Sequence, residues 1–259
     1  MEHKVAHTLH RHPAALMYAL ASASLELIRQ RKRALGILTW MSLVSACCEK
    51  PAFRETLEDA WSRVDEEEDE CTSMSALRGD ADDVVIDLCL CRFVDATVNF
   101  FRDAAAIGLV VDSTSLRSRT KTMTHNEVLG FSSMDELATS LAVRKSQELA
   151  RDDFGLIVYC ADTLKLPVFL DEDERHSVKT AIRTRNILVH NGGMIDARHV
   201  KALGLSPDLI DTTVVITRED LHDWMSLLEA CSKRVEAHLE VLWNERFSEL
   251  ATTSDDSPK

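Results

Sequence analysis

One stretch constrains this chain more than any other: DEDERHSVKTAIRTRNILVHNGG, Asp171 to Gly193. Asp171 or Asp173 is placed to accept hydrogen bonds from the first free N–H groups of a helix, and the acidic run suits the positive end of its dipole. Val178, Ile182 and Val189 follow helical spacing, with Ile187 and Leu188 widening the apolar stripe. Gly192 and Gly193 supply the left-handed conformation that closes a helix, so the stop is expected just after His190 and Asn191. The prediction is one largely buried helix.

That helix carries Lys179, Arg183, Arg185, Asn186 and His190, a heavy polar load for a buried element. A buried cation costs several kcal/mol unless it is paired, so these side chains need partners, water or a ligand. At roughly 100° per residue Arg183, Asn186 and His190 share one edge, with Lys179 a turn behind. Arg185 stands roughly 140° from His190 and joins them only through its long side chain or a distorted last turn. A guanidinium fork matches a phosphate, and imidazole exchanges protons near neutrality, so the set suits phosphoryl chemistry.

RNILVHNGG resembles the signature of the HEPN superfamily, small all-α domains in which an Arg, a polar residue and three further positions lead to a His. Arg185, Asn186 and His190 match that pattern, and Arg183 satisfies the wider spacing the family allows. The segment after the motif is also similar: a gapped stretch with Gly204, a β-like patch from Thr212 to Thr217 and a last amphipathic helix. The resemblance covers roughly residues 80–250. It implies a metal-independent endoribonuclease without cofactor, working as a homodimer on RNA; the cysteine usage, seven with no CxxC pair, makes the reducing cytoplasm the expected home. A ribose 2′-hydroxyl attacks its own phosphate and leaves a 2′,3′-cyclic phosphate. It makes His190 the general acid or base, Arg185 the phosphate clamp and Asn186 an orienting hydrogen-bonding group, with Arg183, Lys179 and Asn191 as further substrate contacts. Toxins and defence effectors of this kind are held in check by a cognate antitoxin or other regulatory protein. The same residues also fit a non-catalytic reading. Arg185 and His190 would then pair with carboxylates of neighbouring helices in an interaction module, or in the regulatory half of a two-component system; Asp95 and Asp103 are the first acids to consider.

Composition agrees with an all-α chain: 8 Gly and 5 Pro in 259 residues, with Ala, Leu and charged residues abundant. A net charge of −13 argues against a surface that binds nucleic acid everywhere, and leaves room for a local basic cleft. Seven cysteines with no CxxC pair indicate neither a zinc ribbon nor a disulfide framework. His3 and His7 have a chelating i, i+4 spacing, yet no Cys or acid completes the set, so no metal is expected. Basic residues before AALMYALASAS crudely imitate a leader, but the apolar run is weak and continues as helix. The charged RQRKR, Arg29 to Arg33, breaks the one candidate for a membrane span.

In chain order, residues 1–79 are predicted as an N-terminal helical extension and acidic linker, 80–250 as a HEPN-like multi-helix bundle, and 251–259 as a disordered tail. Helical pattern runs from Pro13 to about Cys48, with a break near Gly36, and again from Pro51 to about Val64. The acidic run Asp65 to Glu70 and the polar stretch to Asp82 read as an exposed connection. From Ala81, the residues Val84, Val85, Leu88, Cys91, Val98, Phe101 and Ile107 describe a long buried helix ending near Gly108. Arg117, Arg119 and Lys121 form a basic loop suited to phosphate-backbone contact, or simply a surface loop. Ser133 with Glu136, Asp152 or Asp153, and Thr217 with Asp220 each open a helix. Residues 194–211 are predicted irregular, and Thr212–Thr217 reads as a strand with no partner unless one comes across a dimer.

Overall fold

A computed structural model describes residues 13–48, 74–116 and 123–253. Within them lie eight α-helices: α1 (Pro13–Cys48), α2 (Met74–Val111), α3 (His125–Leu129), α4 (Met134–Leu149), α5 (Asp153–Asp162), α6 (Glu172–Asn191), α7 (Ala197–Leu203) and α8 (Arg218–Thr253). Two short 3-10 turns, Ser113–Leu116 and Pro207–Leu209, complete them. The expected all-α multi-helix bundle is what the chain forms, and no described helix is long and apolar enough to cross a membrane.

The bundle is organised on α2, which packs against α1, α4, α5, α6 and α8. Its sequence explains this. Leu90, Phe93, Val94, Phe100, Phe101, Ala104, Ala105 and Ile107 are all fully buried and cover more than one face, as a helix enclosed by neighbours requires. Phe100 and Phe101 meet edge to face with ring centroids 5.3 Å apart. The last helix contributes Leu221, Met225, Leu228, Cys231, Val235 and Leu239 at helical spacing, all with no exposed surface. Each large side chain buried in this way contributes about 1.5–3 kcal/mol.

The N-terminal helix enters the same core through Leu16, Leu20, Leu27, Ala34 and Leu38. It is unbroken through Gly36, contrary to the expected interruption, because an exposed helical glycine only weakens a helix that packing holds. A charged cluster fastens it to α8: Arg31 donates to Glu229 and, at 3.0 Å, to the Ser226 hydroxyl, while Lys233 sits 2.6 Å from the same Glu229. Ser24 donates to Glu236 at 2.6 Å two turns away.

Several expectations need correction. Residues 74–82 are helical, so α2 begins within the stretch predicted as linker. Val84 and Leu88, assigned to its buried stripe, are 57% and 58% exposed; the buried positions there are Ile86 and Leu90. In α6 the same holds for Val189, which is 51% exposed. The Thr212–Thr217 segment finds its partner within the chain. Thr213 bridges Met194 in antiparallel fashion, with Ile195 N–H donating to Thr212 O at 2.9 Å and Val214 N–H to Gly193 O at 2.9 Å. Residues 194–211 contain α7, started by Asp196, which accepts from His199 N–H at 2.9 Å while His199 Nδ1 accepts from Asp196 N–H at 3.3 Å. A histidine thus stands where a capping box usually has Glu. The helix predicted over 51–64, the acidic run Asp65–Glu70, the histidines 3–12, the basic loop and the tail beyond Thr253 lie outside the described residues.

Candidate functional site at the end of α6

The helix that carries the motif is built as its sequence dictates. Asp171 accepts from Glu174 N–H at 2.8 Å and caps the start, and Glu172, Asp173 and Glu174 fill the first turn. Val178, Ala181, Ile182, Thr184 and Ile187 form the buried face. Gly192 closes the helix at φ 58°, ψ 32°, and Gly193 follows at φ 81°. Both values lie in the left-handed region that favours glycine. Asn191 serves this turn as well, since its side-chain amide donates to Met194 O.

The polar residues occupy the flank of α6 rather than its buried face. Lys179, Arg183 and Asn186 are half-buried, and His190 is exposed on the last turn. The side chains of Lys179, Arg183 and His190 make no hydrogen bond or ion pair with another described residue. Arg185 is the exception, its side chain only 17% exposed. It reaches its neighbours through its own length, with the helix undistorted to Asn191.

Three groups converge on that guanidinium. Nη1 donates to Asn186 Oδ1 at 2.8 Å and lies 3.4 Å from Asp153 Oδ2, and Nη2 donates to Asp95 Oδ1. Asp95 comes from α2 and Asp153 from the first turn of α5, so the cluster also joins three helices. Asp103, the other acid considered from sequence, pairs instead with Arg102 at 3.2 Å.

Asp153 is the residue that sequence reasoning treated only as a cap. Its neighbour Asp152 does the capping, accepting from Gly155 N–H at 3.1 Å, which leaves Asp153 to face Arg185. Two adjacent acids at a helix start, where one suffices, were the available signal. Burial pushes the Asp153 carboxyl above the usual aspartate range; Arg185 opposes this, Asp95 and Asp152 reinforce it, and the charge of His190 pulls it down. His190 is therefore within electrostatic reach of the same carboxylate that contacts Arg185. Cys91, also on α2, has its thiol pushed up chiefly by burial, with Arg185 opposing.

The cluster combines a forked cation, an amide that accepts from it and two carboxylates, with the exposed imidazole of His190 on the last turn of the same helix. Counting formal charges on Arg185, Asp95 and Asp153 gives one positive and two negative groups. Among the described residues no three His, Cys, Asp or Glu side chains gather as a metal site. The loop residues Arg117, Arg119 and Lys121 are outside the described part of the chain. A cavity of about 320 Å³ lies elsewhere, between the end of α2 and the start of α4 beside Val110, Met134, Thr139 and Arg246. No family model, curated protein or solved structure matches this chain.

Proposed function

We propose that this protein is a HEPN-like endoribonuclease that acts as a homodimer in the cytoplasm and needs no metal. The observation that carries the reading is the grouping at the end of α6. Asp153 lies in contact with Arg185, Arg185 is hydrogen-bonded to Asn186, and the exposed His190 stands on the last turn of the same helix. In this reading His190 of one copy takes the proton of a ribose 2′-hydroxyl as its oxygen attacks the adjacent phosphorus. The bond to the 5′-oxygen breaks, and His190 of the second copy returns a proton to that leaving oxygen. Arg185 neutralises the charge gathering on the phosphoryl oxygens, and Asn186 fixes the plane of its fork. A cognate antitoxin or other regulator is the partner such an activity calls for.

A second reading keeps the fold and drops the chemistry. Its support is specific: Arg185 already meets two carboxylates from other helices, which suits a brace in an interaction module. Incubating the protein with mixed RNA in EDTA, beside His190→Ala, separates the two. The ribonuclease reading expects chelator-resistant cleavage ending in 2′,3′-cyclic phosphate, reduced at least about 100-fold in the variant. Equal inertness of both proteins would leave the module.

A further inference from the structure

A guanidinium presents five N–H groups in one plane, and a phosphate held in two-point fashion takes two adjacent ones. In Arg185 the Nη1 edge is committed to Asn186 and Asp153. The other edge consists of Nε–H and Nη2–H. Nε is buried with no hydrogen-bond partner, and Nη2 is held by Asp95. An unpartnered Nε does not by itself mark a site, because Arg31 and Arg234 have one too. The difference lies in the carboxylates. Arg31 shares one acid with Lys233, and Arg234 pairs with Glu174 alone, whereas Arg185 has two acids to itself. Of those two, Asp95 is on the water side: its side chain is 39% exposed against 22% for Asp153.

We infer that Asp95 is a displaceable latch on Arg185, occupying the edge of the fork that a phosphodiester of RNA takes when substrate binds. The inference rests on the ribonuclease reading and names how its site is held at rest. A carboxylate and a phosphodiester offer the same paired oxygens to the fork and carry the same charge, so they compete for it. Asp95 is the group able to leave, since its exposed carboxylate regains water when the pair opens. Asp153 and Asn186 stay behind and keep the guanidinium in its plane. Until Asp95 swings away, a phosphodiester approaching the cluster meets an excess of one negative charge, which also holds the resting chain off unspecific anions.

Inorganic phosphate, titrated into the full chain and followed by the Arg185 Nε–H resonance in NMR, tests the latch without any need for turnover. Asp95→Asn keeps the shape and removes the charge, and it should bind phosphate about five- to tenfold more tightly than the natural chain. Asp95→Glu keeps the charge and should bind like the natural chain, and thermal melts establish that both variants are folded. With RNA, Asp95→Asn should lower KM by a similar factor. The latch is overturned if Asp95→Asn binds phosphate no more tightly, or if Asp95→Glu gains as much. The two ideas fail separately. A gain at Arg185 in a protein that cleaves no RNA keeps the latch and removes the ribonuclease, and His190-dependent cleavage with unmoved phosphate affinity does the reverse.

Discussion

Arg31, Glu229 and Lys233 join α1 to α8 with two cations around one carboxylate, whereas Arg185, Asp95 and Asp153 join α6 to α2 and α5 with two carboxylates around one cation. One carboxylate in each cluster, Glu229 and Asp153, is shifted, and the two shifts run in opposite directions. Burial pushes the Glu229 carboxyl up, but hydrogen bonds from Lys233 and Arg31 outweigh it and hold the group below the usual glutamate range. At Asp153 burial wins over Arg185, and the group lies above the usual aspartate range. A cluster whose acid is over-supplied with donors is a fastening. One whose acids outnumber their cation retains an ionised group that the fold does not favour, and such a group needs another reason to be there.

The largest effect on folding is expected at the fastening. Glu229→Ala removes the carboxylate that Arg31 and Lys233 share and leaves Arg31, 28% exposed, facing α8 without its counter-charge. A loss of about 2–4 kcal/mol in urea unfolding follows, with α1 released first in hydrogen exchange. Acid should produce part of the same loss in the natural chain. The folded pKa of Glu229 is below its ordinary value of 4.5, so its contribution is complete above that pH and disappears as the pH falls through the folded value. A loss below about 1 kcal/mol for Glu229→Ala would mean that the contact is ornamental and that the contrast between the clusters is one of geometry alone.

Asp153→Asn should behave in the opposite sense. At pH 7 the substitution removes a charge that burial opposes, while Asp95 remains to pair with Arg185, so stability is expected to hold or to rise by up to about 1 kcal/mol. The folded pKa lies above 3.8, so the penalty of the ionised form applies above the folded value and is relieved as the pH falls toward 3.8. The difference between variant and natural chain should therefore shrink in acid. Melting curves at pH 7 and pH 4 check both statements, and a drop of more than about 1 kcal/mol at pH 7 would show that pairing with Arg185 outweighs burial.

The sequence made the helices legible wherever a cap and a stripe coincided. Asp171, Ser133 and Thr217 open their helices as their spacing implies, and Gly192 closes α6 in the expected conformation. The capping box of Thr124 with Glu127, which starts α3, is equally present in the chain but opens only a five-residue helix with no apolar stripe to announce it. What stayed hidden was the choice of face. A stripe of Val84, Leu88 and Cys91 is as periodic as Ile86, Leu90, Phe93 and Val94, and only the neighbours of α2 decide which one is covered. At the candidate site, the motif singles out Arg185, Asn186 and His190, and the long helix before it offers Asp95 and Asp103 as partners for Arg185, of which Asp95 makes the contact. Asp153 was not legible, because its role depends on Asp152 having taken the cap.

The face left open bears on the same contrast. Along α2, Val84, Leu88, Cys91 and Asp95 recur at helical spacing, and Asp95 ends that row at Arg185; on α6, Val189 stands one turn beyond Arg185. Exposed apolar side chains thus flank the acid-rich cluster. Val189→Ser removes little from the folded chain, since half of the side chain is already in water: a stability change within about 0.5 kcal/mol is expected. If the proposed homodimer closes over this end of α6, the same substitution should weaken self-association about fivefold in sedimentation measurements, because the exposed half of the side chain would lose its apolar burial against the second copy. Unchanged stability with unchanged association would place the contact between copies elsewhere on the molecule. The proposed use of His190 from two copies on one phosphate would then lose its physical basis, while the fastening at Glu229 would stand as described.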